Sequence, residues 1–177
     1  EVHNLVDDLN STGEGFDFSR DRVLKASLVI SDLPDIKLKA KNMLDNMLEV
    51  ERRWDDIRNA MVISVRLLAD FGFSATSLRA ENAVIPIAYY VHHRQLDDKY
   101  LGTPKHRSDR ELVRSWVVRS ILRAGFWTGA VDPILIESRK AIKEHGSRGF
   151  PLVEIEQRIA AAGKSLEFTA PEIEDLL

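Results

Sequence analysis

Cysteine is missing from all 177 residues, and with it go disulfides, thiolate metal sites and cysteine nucleophiles. A reducing, cytoplasmic setting is the expectation that follows. No long hydrophobic run is present either. The longest, Ala83 to Tyr90, falls far short of the roughly 20 apolar residues a membrane helix needs, so no membrane partner is expected. The opening Glu1-Val2-His3-Asn4 has neither the basic nor the apolar section of a signal peptide, and no initiator Met. With Leu177 falling inside a helix just begun, both ends read as cut. The expectation is a single helical domain over residues 1–177, taken from a larger multidomain protein. Charge of one sign is not in excess. A net charge of −3 gives no overall pull towards nucleic acid or anionic membrane, so any such binding needs a local patch. Strand signals are lacking as well, because no segment alternates convincingly between polar and apolar residues.

What is present is helical. The hydrophobic fraction of 44% suits an ordinary globular core, and a chain this long buries roughly 70% of its unfolded surface. Val2 to Asn10 reads as a short helix with Leu5, Val6 and Leu9 on its apolar side, closed by the turn Ser11-Thr12-Gly13-Glu14-Gly15. Ser19 can N-cap a helix from Arg20 to about Ile30, with Asp21 in the first turn. Between Asn42 and Phe71 apolar residues recur every three or four positions: Leu44, Met47, Leu48, Trp54, Ile57, Met61, Val65 and Leu68. This predicts one long amphipathic helix near 42–71, closed by Gly72, with Trp54 in the core. On that reading Trp54→Ala costs about 3–5 kcal/mol.

Pro86 fits the first turn of a helix from about Asn82 to Arg94, and Leu96 to His106 reads as an exposed loop. Ser108-Asp109-Arg110-Glu111 has capping-box form. The helix behind it, near 109–124, carries apolar residues nearly all round and is the candidate central, buried helix. Asp132-Pro133 reads as N-cap and N1 of a helix ending near His145-Gly146; Phe150 to Ala162 is another, closed by Gly163. Thr169 and Glu172 repeat the capping-box spacing before a last helix. The predicted fold class is therefore all-α, an irregular bundle of about seven helices.

No constellation carries obvious catalysis. His92 and His93 are adjacent and point about 100° apart on a helix, so with Asp97, Asp98 and His106 they lack zinc-site spacing. Gly13-Glu14-Gly15 and Gly163-Lys164-Ser165 lack the strand and further glycines of nucleotide-binding loops. Asp7-Asp8, Asp55-Asp56 and Asp97-Asp98 read as solvated pairs rather than catalytic dyads. Catalytic, metal and cofactor residues are thus assigned to none within this chain. One local charge feature is basic: Lys105, Arg107, Arg110, Arg114, Arg119 and Arg123 against only Asp109 and Glu111. Lys105, Arg107, Arg110 and Arg114 are the candidate phosphate-contacting residues. The competing reading pairs these arginines with acidic neighbours inside the protein.

The order of several short patterns resembles a known family. These are Leu9-Asn10-Ser11-Thr12-Gly13, Trp54-Asp55-Asp56-Ile57, the run Asn82 to Tyr90, Trp116-Val117-Val118-Arg119, Gly125-Phe126-Trp127-Thr128-Gly129, and Phe168 to Glu174. Together they resemble the helical region of the domain-of-unknown-function-262 proteins, relatives of the GmrSD modification-dependent restriction endonucleases. The resemblance implies a preceding ParB/sulfiredoxin-like domain with an Asp-Gly-Gln-Gln-Arg motif, and in some members a following HNH-type nuclease. An NTP and a divalent metal would serve that parent protein, and neither motif occurs in this chain. The resemblance also marks Asn10 as the residue facing the neighbouring domain. The leading expectation is a non-catalytic helical scaffold of a DNA-targeting restriction or phage-defence protein, partnered by the parent's other domains and by DNA. The alternative is a protein-interaction module without a nucleic-acid role, in which Phe126 and Trp127 form an exposed anchor; core packing is the competing fate for that pair.

Overall fold

A computed structural model describes residues 1–174. Its first element, α1 (Val2–Asn10), buries Leu5, Val6 and Leu9 and ends in a clasp. The Asn10 side chain donates to the Phe18 carbonyl at 3.0 Å and accepts the Phe18 N–H at 2.7 Å. Gly13, at φ 59°, lies so close to the helix that holds Ala69 that a Cβ there would meet the Ala69 Cβ at 2.9 Å. The turn is thus pressed flat onto the body, a closeness only glycine permits.

The clasp delivers the chain to α2 (Arg20–Ile30), where the Ser19 hydroxyl accepts the Arg22 N–H at 3.3 Å and Asp21 occupies the first turn. There follow α3 (Ala40–Arg52), α4 (Trp54–Asp70), α5 (Val84–His93), α6 (Lys99–Gly102), α7 (Arg107–Leu122), α8 (Asp132–His145), α9 (Leu152–Ala161) and α10 (Ala170–Glu174). Short 3-10 turns, Glu81–Ala83 and Pro104–His106, lead into α5 and α7. Every regular element among the described residues is helical, and the fold is all-α.

The segments outnumber the expected ones for two reasons. First, the helix predicted over 42–71 is divided at Arg53, whose φ of −101° and ψ of 8° leave the helical path. Arg52 and Arg53 both bind Glu49, and Asp55 and Asp56 then supply the acidic first turn of α4. A basic end followed at once by an acidic start favours two helices over one. Second, the segment predicted as an exposed loop from Leu96 to His106 folds into α6 and a 3-10 turn, because Tyr100 is driven inside and is only 1% exposed.

The centre of the molecule is α5, not α7. All residues of α5 from Val84 to Val91 are buried, and it packs against α2, α4 and α8. Pro86 lies in its first turn, where its missing N–H is harmless. In α7 only Val113, Trp116, Val117 and Ser120 are buried, while Leu112 and Leu122 face outward. The arginines distributed round α7 need water or partners on several sides, which keeps it peripheral. Similarly, Asp132 proves to be the first residue of α8 rather than its cap. Its carboxylate instead accepts from the Lys25 ammonium at 2.6 Å.

Gly72 closes α4 as expected, with φ of 85°. Its N–H reaches the Ala69 carbonyl at 2.9 Å and the Phe73 N–H reaches Leu68 at 3.0 Å, the paired bonds of a Schellman end. Gly163 ends α9 in the same way. The expected Thr169–Glu172 capping pair rests on the Glu172 side chain, which lies outside the described ones.

Trp54 sits half-buried at the start of α4, whereas Trp116 is fully enclosed and donates its indole N–H to the Ala83 carbonyl at 3.1 Å. Trp116→Ala is therefore expected to cost about 3–5 kcal/mol and Trp54→Ala only about 1–2 kcal/mol. Urea unfolding of the two variants measures the difference. Equal losses would contradict the placement of Trp54 at the rim.

Candidate nucleic-acid interface

Pro104 opens the turn that swings the chain from α6 into α7, and the basic residues begin in this turn and continue along α7. Helix ends leave carbonyls without partners. Arg110 fills that need for α6: its guanidinium donates to the carbonyls of Tyr100 at 2.6 Å and Thr103 at 2.9 Å. Its charge is spent capping a neighbouring helix rather than facing solvent. Lys105 and Arg107 are exposed. Arg114 is also exposed and lies 3.7 Å from Glu111 one turn earlier, an ion pair weakened by solvent on both sides.

Farther along α7, Arg119 pairs with Glu156 of α9 at 2.7 Å. Burial pushes the Glu156 carboxyl above its ordinary range, with Arg119 opposing. Arg123 donates to the Ser165 carbonyl at 3.3 Å. The basic stripe read from the sequence thus separates into two groups. Lys105, Arg107 and Arg114 form an outer edge; Arg110, Arg119 and Arg123 are ties between elements.

Asp109 lies in the first turn of α7. It belongs to no capping box: α7 starts at Arg107, and Ser108 is exposed with no side-chain cap at this end. One Asp109 oxygen accepts the hydroxyls of Tyr90 at 2.7 Å and Tyr100 at 2.8 Å, and the other accepts the Phe150 N–H at 2.6 Å. Burial first, then the hydrogen bond to Asp109 and its charge, raise the Tyr90 phenol far above its usual range, so it remains a protonated donor. For Tyr100 burial again comes first, and the Asp109 charge then outweighs the hydrogen bond to it. Arg94 completes the knot by donating to the Tyr90 oxygen at 3.0 Å. Four segments, α5, α6, α7 and the approach to α9, meet at one carboxylate. Nothing in the spacing of Tyr90, Tyr100, Asp109 and Phe150 announces this. The only sequence hint is Tyr100, a large aromatic in a stretch otherwise read as exposed loop.

Asn10, expected to face a neighbouring domain, has both ends of its amide occupied by Phe18. Its work is to close the clasp. The aromatic pair Phe126 and Trp127 also turns inward. Phe126 is 3% exposed, and both rings meet Trp116 edge-on at centroid distances of 6.1 and 6.0 Å. The exposed-anchor role is therefore lost, and core packing accounts for them.

The histidines diverge as the helix geometry requires. His93 is exposed and stacks on Tyr89 with centroids 6.1 Å apart. His92 borders an open cleft of about 220 Å³ between α4 and α5, with Asp56, Asn59 and Gln95 on its walls. Burial lowers the His92 pKa, and Asp56 only partly offsets it. Desolvation therefore outweighs the favourable charge–dipole term expected at a helix C-terminus. Asp97 accepts the Lys99 N–H at 3.0 Å, and Asp98 pairs with Arg66 at 2.5 Å. Among the described residues no three His, Asp or Glu side chains converge as a metal site would require.

No family model matches the chain, and no curated protein matches it.

Two measurements test the electrostatic picture. Asp109→Ala strands two buried hydroxyls and one backbone N–H, and should destabilise the fold by about 3 kcal/mol or more in urea melts. A loss below about 1 kcal/mol would mean that water replaces the carboxylate without cost. For His92, the unfolded chain titrates near 6.5 and the folded chain lower. The unfolded state therefore binds more protons between these values, and stability rises with pH across that window. Its contribution is complete above the unfolded pKa and lost as pH falls through the folded one. Melting curves below about pH 6.5 should thus be less pH-dependent in His92→Gln than in the wild type.

Proposed function

We propose that the chain is a non-catalytic helical scaffold of a DNA-targeting restriction or phage-defence protein, with Lys105, Arg107 and Arg114 contacting DNA phosphates. One observation carries this reading. Lys105, Arg107 and Arg114 are exposed in the turn before α7 and on its first two turns, while Arg110 and Asp109 tie that end of the helix to α6 and to Phe150. Exposed cations can neutralise phosphates and release their counterions, which gives affinity without base specificity.

The same economy supports a scaffold role. Lys25, Arg110, Asp109 and Asn10 all hold elements together, so the chain's polar chemistry is directed to its own architecture. In this reading the NTP and divalent metal implied by the family resemblance act in other domains of the parent. The scaffold positions those domains within the cytoplasm.

The experiment is a salt titration of duplex DNA binding by the full-length protein, wild type against Lys105→Gln/Arg107→Gln/Arg114→Gln. Arg110 is left intact because it holds α6. Each lost contact should make the slope of log affinity against log salt shallower by about 0.9, or about 2.7 for three. An unchanged slope would remove this edge from DNA contact.

A further inference from the structure

α3 is attached to the body by its more polar side. Val50 is buried and Asn42, Met43, Asn46 and Glu49 are partly covered, while on the opposite side Leu44, Met47 and Leu48 are 66%, 44% and 82% exposed. At about 100° per residue, these three apolar residues form one strip, with exposed Lys41 at its N-terminal end and exposed Glu51 at its C-terminal end. A helix docked this way round gains nothing from its best apolar surface unless something else covers it.

We propose that this strip is the contact face of a homodimer in which two copies of α3 pack antiparallel about a twofold axis. Charge complementarity points to a second copy. An axis at the level of Asn46 sets Leu44 against the partner's Leu48 and, in the same register, Lys41 against the partner's Glu51. A twofold interface must be complementary to itself, and this strip is. Parallel pairing would instead oppose lysine to lysine and glutamate to glutamate. An anionic lipid surface suits the strip less well: exposed Lys37, Lys39 and Lys41 lie at its N-terminal end, but Asp45 and Glu51 border it and the exposed Asp55 and Asp56 follow beyond the bend. Glu49 adds nothing to that repulsion, being held by Arg52 and Arg53. The contact is small: a helix about 20 Å long offers less than the roughly 800 Å² per side of a standard interface, so pairing is weak and reversible. This surface is independent of the basic edge on α7.

Sedimentation velocity of the full chain over about a hundredfold concentration range tests the proposal. The wild-type sedimentation coefficient should climb towards the dimer value. Leu44→Glu/Leu48→Glu should stay monomeric with unchanged helical circular dichroism, since both residues are exposed. Lys41→Glu and Glu51→Lys should each weaken association several-fold, and the double exchange Lys41→Glu/Glu51→Lys should restore it. A wild type that remains monomeric throughout overturns the proposal, as does a dimer that survives Leu44→Glu/Leu48→Glu. A double exchange no better than the single ones overturns the antiparallel register. Co-sedimentation with phosphatidylserine-containing vesicles that requires Leu44 and Leu48, without self-association, puts a membrane in place of the second copy and likewise overturns it.

Discussion

One carboxylate links the parts of this molecule that sequence order keeps apart. Asp109 accepts three hydrogen bonds, from Tyr90 on α5, Tyr100 on α6 and the Phe150 N–H before α9. Hydrogen bonds to an ionised acceptor are about twice as strong as neutral ones. Each donor also becomes a liability if the acceptor leaves, because it is buried. Tyr100 is thereby pinned beneath the α6–α7 corner, and Arg110 can then reach the carbonyls that α6 exposes. The outer basic edge stands on this arrangement. Close approach of the 149–150 backbone is part of it: a Cβ on Gly149 would come within 3.1 Å of the Asp109 carboxylate.

The same principle recurs around α5. Lys25 is buried to 9% exposure, and its ammonium is held by the Ile36 carbonyl and Asp132, each at 2.6 Å, joining α2 to α8 and to the loop that leads from α2 to α3. Arg139 donates to the Leu33 carbonyl at 2.9 Å, and Tyr89 donates to Asp32 at 2.9 Å, so the end of α2 is gripped from two helices. Arg22 binds Glu81 and Asn82 at the entry to α5. Lys25 and Arg139 satisfy carbonyls of the loop that follows α2, while Arg22 and Tyr89 bind side chains across helix ends. Irregular helical packing leaves many such ends, and charged ties are how this chain meets them.

That explains what the sequence could and could not disclose. Helix limits set by local chemistry were legible: Ser19 and Asp21 start α2, Gly72 ends α4, and Gly163 ends α9. The break at Arg53 was also written locally, as Arg52-Arg53 followed by Asp55-Asp56, but the apolar period running through it masked the signal. The period was real, yet it served two surfaces: Ile57, Met61, Val65 and Leu68 face the core, and Leu44 and Leu48 face outward. Periodicity reports a stripe and not its partner. The roles of Asp109, Arg110 and Asn10 were illegible for a different reason: each is defined by a backbone group brought near by tertiary folding. Arginine spacing on α7 is identical for a phosphate ladder and for internal ties, and only the neighbours tell them apart.

The most direct measurement of the central claim is native-state hydrogen exchange at the Phe150 amide. That residue lies outside any helix, and its N–H is given to Asp109. If the carboxylate is the junction on which the fold depends, this amide will exchange only through global unfolding, as slowly as the amides of α5. Exchange at the rate of an ordinary exposed loop, with α5 still protected, would contradict the account.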